Sequence, residues 1–157
     1  PMISVQIADH RFQLRAAAIV AHAGHVLLHR VKGDDFWALP GGRVEPGEQA
    51  RDTVVREMQE ELGEQVACAD LLYVVENFFT FGGQPHHEIG CYFRVHLPPG
   101  SPLRDTSQSH AGVEGSKRLE FRWFPTGALQ TLEVRPSFLR EALHRPLEGL
   151  QHVVQRG

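Results

Sequence analysis

A helix that carries its own stop signal, with four glutamates close together on one arc, restricts what this chain can fold into. Residues 42–64 read GRVEPGEQARDTVVREMQEELGE. Pro46 and Gly47 supply turn chemistry after Glu45, and residues 48–62 then run without Pro or Gly, rich in Glu, Arg, Gln, Ala and Val. This predicts a helix, and Gly63 stands where a C-terminal glycine ends one. At about 100° per residue, Ala50, Val54, Val55, Met58 and Leu62 share an apolar arc, while Glu57, Glu60, Glu61 and Glu64 share the arc beside it.

A charged helix face is ordinarily just solvated, but this one is poorly arranged for that. Carboxylates three and four residues apart repel by roughly 0.2–0.5 kcal/mol per pair, and the helix C-terminus disfavours anions. No Lys follows four residues on to compensate. The arrangement predicts a cation on that face. Close-set carboxylate oxygens suit a hard divalent ion such as Mg²⁺ or Mn²⁺, which takes remaining ligands from water and from substrate phosphates. The alternating Asp pattern of a Ca²⁺ loop is missing, and no His or Cys is placed in the stretch for zinc.

These residues resemble the Nudix box, a glycine, a glutamate and an Arg-Glu-apolar-X-Glu-Glu-X-Gly run at fixed spacing. Gly42, Glu48, Arg56, Glu57, Met58, Glu60, Glu61 and Gly63 match it. Glu64 departs from it, standing where the family usually has an aliphatic residue, and this bears only on local packing. The resemblance implies an α/β fold, specifically a Nudix-type α/β/α sandwich with a mixed β-sheet. It also implies that Glu57, Glu60 and Glu61, with the carbonyl of Gly41, hold Mg²⁺ (or Mn²⁺), and that Arg56 orients the carboxylates. By the same resemblance Arg43 is placed to meet a phosphate, against the plainer expectation of a surface arginine. In some Nudix enzymes a glutamate from a late loop joins the metal site or serves as base, and the resemblance makes Glu114 and Glu120 the candidates here, Glu114 also as a substrate contact. Glu48 is expected to stabilise the turn and helix start.

The length, 157 residues, fits one domain over 1–157. The net charge of −3 argues against a nucleic-acid polymer or an anionic membrane as partner, though a bound metal can reverse the local field for a small anion. Cys68 and Cys91 form no close-set pattern and are expected to be reduced and buried, as in a cytoplasmic protein. Residues 16–21 are too short to span a bilayer, and no leader-like pattern opens the sequence.

Around the box, residues 3–7 alternate like a short strand, and residues 12–21 and 25–30 read as a hairpin turning near Gly24. The loop at 32–42 ends in Trp37 and the Gly41-Gly42 pair, where absent side chains permit close approach. Trp37 is expected in the core or under a lid. Residues 67–81 and 88–97 predict a second hairpin broken at Gly82-Gly83-Gln84-Pro85. Phe78, Phe79 and Phe81 are expected to pack in the core, with base stacking as the alternative. His87 and Glu88 are expected to start a strand, with a phosphate or metal contact as the alternative. Residues 98–117 read as a long surface loop, 118–124 as a strand, 136–144 as a helix opened by Pro136, and 150–154 as a closing strand or irregular segment.

The resemblance implies Mg²⁺-dependent hydrolysis of a phosphoanhydride bond, with water attacking phosphorus. The substrate class is a small nucleotide: a nucleoside triphosphate, a nucleotide sugar or a related nucleoside diphosphate linked to another group. Markers of particular substrates are missing: Thr80 replaces the proline common in ADP-ribose enzymes, and the tyrosine of dinucleoside polyphosphate enzymes is absent. The alternative is a Nudix-fold module that binds a nucleotide-like ligand without cleaving it. The resemblance also allows a homodimer, although no residue pattern marks an interface.

Overall fold

The computed structural model describes residues 1–157. The chain begins with β1 (Ser4–Ile7) and β2 (His10–Ile19), passes through the short β3 (Ala21–His22) to β4 (His25–Val31), and continues to β5 (Gly41–Arg43). Helix α1 (Ala50–Leu62) follows, then the long strands β6 (Ala67–Phe81) and β7 (Gln84–His96). A 3-10 turn at Pro102–Arg104 leads to β8 (His110–Glu114) and β9 (Lys117–Pro125). A second 3-10 turn at Thr126–Thr131, the one-turn α2 (Leu139–Ala142) and β10 (Gln151–Arg156) close the chain.

A mixed sheet runs in the order β1-β2-β7-β6-β10, with β5 also on β2. Its β2–β7 and β6–β10 pairs are parallel, and its other pairs are antiparallel. The second sheet, β3-β4-β9-β8, is antiparallel throughout.

The near-continuous apolar run Ala16–Val20 explains the layering, because a strand covered on both faces has no polar side to show. Ala16, Ala18 and Val20 join a core with Val54 and Met58 of α1 and with Phe121 and Trp123 of β9. Ala17 and Ile19 point the other way, into a core with Trp37, Leu129 and Leu139. Helix α1 therefore covers one side of the mixed sheet, and α2 with the turn before it covers the other. Burying Val54 and Met58 completely contributes roughly 1.5–3 kcal/mol for each side chain.

Several expectations change in the folded chain. The hairpin expected at 12–21 and 25–30 does not form as such. One edge of β2 is taken by β1 and β5 and the other by β7, so β4 cannot pair with it. The chain leaves the mixed sheet at Val20, and only Ala21–His22 pairs with β4. The hairpin of β6 and β7 forms, with β7 starting at Gln84. The expected loop at 98–117 contains β8 in its second half, paired with β9. The expected helix at 136–144 is reduced to α2, and the closing segment is a strand, β10, parallel to β6.

Helix α1 starts at Ala50, not at Glu48, and Gly63 ends it at φ 70°. Its buried residues are Thr53, Val54, Met58 and Glu61, whereas Val55, expected in the core, is exposed. Trp37 is buried, with the Arg30 guanidinium 4.2 Å above its ring and Phe124 edge-on at 4.9 Å. Phe78 and Phe79 pack against His87 and His86, while Phe81 is exposed. No helix is long and apolar enough to cross a membrane.

Strand β8 lies against the end of α1, and Gly112 makes the approach close. A Cβ there would sit 2.8 Å from the Glu61 carbonyl oxygen and inside the Phe121 ring edge. Gly112→Ala is expected to cost about 1–3 kcal/mol of stability in urea unfolding, as overpacking does. Gly100→Ala, with nothing within 4 Å, stays within about 0.5 kcal/mol of the parent.

Candidate metal centre

The residues before α1 form an ionic knot. The Arg56 guanidinium donates to both Glu48 oxygens, at 2.8 and 3.1 Å, a bidentate pairing that fixes both partners. Glu48 also accepts from the Thr53 hydroxyl at 2.6 Å and from the Glu45 backbone N–H at 3.2 Å. It thus ties the turn to the first turns of the helix from a position just ahead of it. Hydrogen bonding from Arg56 holds the Glu48 carboxyl down at about 2, and the same contact raises the Arg56 guanidinium above its ordinary value.

Arg56 reaches onward to the box carboxylates. Its Nη1 donates to Glu57 at 2.8 Å and to Glu60 at 3.3 Å, and its Nη2 donates to the Arg43 carbonyl at 3.3 Å. The Glu57 carboxylate lies over Gly42, where a Cβ would come within 2.7 and 2.8 Å of its two oxygens. Gly41 presses against β2, where a Cβ would come within 2.7 Å of the Ala17 Cα. The Gly-Gly pair is required by close packing on two sides, one strand and one carboxylate.

Glu61 is different in kind from its neighbours. Only 3% of it is exposed, and neither carboxylate oxygen has a hydrogen-bond partner. Burial first, and then Glu57 beside it, push its carboxyl up to about 10, with the Glu114 charge adding and the Arg15 charge opposing. No donor lies within hydrogen-bonding distance of either Glu61 oxygen. Glu57, Glu61 and Glu114 bring one oxygen each to within 4.8 Å of one another. Glu114 reaches this point from the last residue of β8, and its side chain is exposed.

Of the residues expected at the site, Glu57, Glu61 and Glu114 come together, and Arg56 touches Glu57. Glu60 stands at the rim, 58% exposed, held by Arg56. Arg43 is exposed with its guanidinium beside the Met2 sulfur at 3.2 Å. Glu120 is elsewhere, paired with Arg30 at 3.0 Å and Arg122 at 2.6 Å, because its strand position turns it from the helix. Glu88 is buried on the mixed sheet, accepting from Gln13 at 2.6 Å and Asn77 at 3.3 Å, away from the other three carboxylates.

Two residues with no signal in the sequence adjoin the cluster. His29 on β4 places Nδ1 3.7 Å from Glu61 Oε1, and burial, helped by the Arg15 charge, pushes its imidazole down to about 3. Arg15 on β2 donates to the Leu39 carbonyl at 2.8 Å. Neither stands out in its strand, since His29 is followed by Arg30 and Arg15 alternates with Gln13 and Arg11.

The donor set fits a divalent cation: three carboxylate oxygens in reach of one point, one of them buried without a partner. An open groove of about 630 Å³, lined by residues such as Tyr73, Phe138, Arg140 and Arg145, shares no residue with this cluster.

Comparison with known proteins gives the family of the chain. The NUDIX domain family matches residues 11–145. A Bacillus subtilis protein named putative ADP-ribose pyrophosphatase YjhB is 30% identical over 64% of this chain and 49% of its own length. The match thus spans about half of that relative. A Mycobacterium tuberculosis protein named putative 8-oxo-dGTP diphosphatase 2 is 30% identical over 70% of this chain and 78% of its own. Among solved structures, a MutT NUDIX hydrolase from Burkholderia pseudomallei superimposes with a TM-score of 0.58 at 26% identity, covering 85% of this chain and 96% of that one. A MutT protein from Methanosarcina mazei shares the fold with a TM-score of 0.64 at 20% identity, over 89% and 95% of the two chains. The chain belongs to the NUDIX family.

Proposed function

We propose that this protein hydrolyses a phosphoanhydride bond in a small nucleotide-type substrate, with Mg²⁺ as the working ion and Mn²⁺ as a substitute. The substrate is a nucleoside triphosphate or a nucleoside diphosphate linked to another group. The observation that carries this is the Glu61 carboxylate, buried with both oxygens unpartnered beside Glu57 and Glu114. A group so placed is costly to keep unless a cation joins it.

Glu57, Glu61 and Glu114 would hold the ion, with the Gly41 carbonyl and Glu60 at the edge of the set. Bound there, the ion neutralises phosphate charge and makes water a stronger acid. Arg56 keeps Glu57 in place through the Glu48 knot, so the carboxylate does not have to be ordered when substrate arrives. Glu114, exposed at the end of β8, would hold the ion through one carboxylate oxygen and take the proton of the attacking water on the other, as a new P–O bond forms and the bridging P–O bond breaks with its electron pair leaving on the departing phosphate. Arg43, exposed on the strand before α1, meets the phosphates.

Chromatography of products from nucleoside triphosphates, nucleotide sugars and ADP-ribose, with Mg²⁺ or Mn²⁺, tests the activity. Metal-dependent cleavage that Glu61→Gln abolishes is expected. Folded wild type that binds Mn²⁺ and cleaves none of them would favour a ligand-binding module. Glu114→Gln is expected to lower kcat at saturating Mg²⁺ by about 10²–10⁴-fold, the range for loss of a general base, and to raise the Mg²⁺ concentration needed for half-maximal rate, because one ligand oxygen is lost with it.

The raised Glu61 carboxyl sets a pH dependence. Its folded value lies above the ordinary 4.5, so its contribution to stability is full below about pH 4.5 and is lost as pH rises towards about 10. Without metal, Glu61→Gln should therefore melt with the wild type near pH 4 and several degrees above it near pH 9, each kcal/mol being worth roughly 2–4 °C at this size. Mn²⁺ affinity of the wild type should rise over the same range, with proton release measured by calorimetry in buffers of different ionisation enthalpy.

A further inference from the structure

The carboxylate cluster has a buried neighbour to which the hydrolytic reading gives no task. His29 Nδ1 is buried without a hydrogen-bond partner, and so is Glu61 Oε1, 3.7 Å away. The two unpartnered atoms are thus neighbours, just beyond hydrogen-bond distance. No other donor bonds Glu61: Arg15 donates through Nη2 to the Leu39 carbonyl, and Arg56 to Glu48, Glu57, Glu60 and the Arg43 carbonyl.

His29 is itself firmly held. Its backbone exchanges hydrogen bonds with Ala38 at 2.8 and 2.9 Å, three residues before Gly41, and its ring packs on Phe121 at 5.2 Å. One residue thus braces the segment leading to Gly41 with its backbone and faces Glu61 with its side chain. Carboxylates that ligate metals are themselves hydrogen-bonded by outer donors, and loss of such a donor typically costs about 10–100-fold in metal affinity.

We propose that His29 is a positioning residue for the metal centre, its Nδ1–H donating to Glu61 Oε1 and holding that carboxylate in the orientation a divalent cation requires. This rests on the metal-site reading given above. It requires the Nδ1–H form of the imidazole, because a bare Nδ1 would place two acceptors against each other.

Mn²⁺ titrations followed by electron paramagnetic resonance, on wild type, His29→Leu and His29→Asn, test it. Asn carries its amide nitrogen the same number of bonds from the backbone as His Nδ1, whereas Leu fills space without donating. His29→Leu is expected to weaken Mn²⁺ binding about 10–100-fold and His29→Asn to stay within about threefold of wild type. Leu binding as tightly as wild type, or Asn binding as weakly as Leu, would overturn the positioning role while leaving the metal site standing. Wild type that binds no Mn²⁺ would overturn the metal site and the inference together. Should His29→Leu fail to fold, ¹⁵N spectra of the wild-type imidazole with Mg²⁺ decide: a proton on Nδ1 supports the role, and a proton on Nε2 alone overturns it.

Discussion

The cost of keeping the Glu61 carboxylate out of water organises this structure. A carboxylate without donors in a closed site either takes up a proton or attracts a cation, and the surroundings of Glu61 leave little else. Its helix packs two core residues, Val54 and Met58, against the sheets on the same turns, so Glu61 cannot swing out without lifting α1. β8 closes over the helix end because Gly112 has no side chain to resist it. The neighbouring carboxylates are treated differently: Glu57 is pinned by Arg56 over Gly42, and Glu60 remains at the surface. One helix face therefore presents three carboxylates with three different environments, which is the form a site takes when each has a separate task.

The scaffold makes such a site tolerable. β2 is buried on both faces and both edges of it are paired, which leaves a rigid centre from which β5, and with it Gly41 and Gly42, is held in register. The Glu48–Arg56 pair then fixes the start of α1 relative to that strand, since Arg56 also bonds the Arg43 carbonyl. Positions near the carboxylates are thus set by backbone packing and one bidentate ion pair, and the repulsion among the carboxylates is confined to the end of a helix that cannot move away.

Much of this was legible in the sequence and some was not, for physical reasons. The spacing of Gly42, Glu48, Arg56, Glu57, Glu60 and Glu61 pointed to the family, the mixed sheet and the two outer layers. The sequence did not separate Glu61 from Glu57, Glu60 and Glu64, because on a helical wheel all share one arc; the difference comes from β8 and His29, which are remote in sequence. The segment 110–114 looked like loop because a strand containing His, Gly and Glu has no alternating apolar face, and it earns its place by pairing with β9 and covering α1. The hairpin expected at 12–30 failed because local turn signals near Gly24 say nothing of which edges of β2 are already occupied. His29 was invisible for the same reason: its chemistry depends on a carboxylate 32 positions away meeting it across two elements.

On the proposed reading, Glu57, Glu61 and Glu114 together bind a divalent cation. A crystal grown with Mn²⁺ and measured at the manganese absorption edge tests it most directly. The three-carboxylate site predicts an anomalous peak within coordination distance of all three residues. A map from Mn²⁺-saturated, ordered protein with no peak there, or with its only peak at the exposed Glu60, would contradict it.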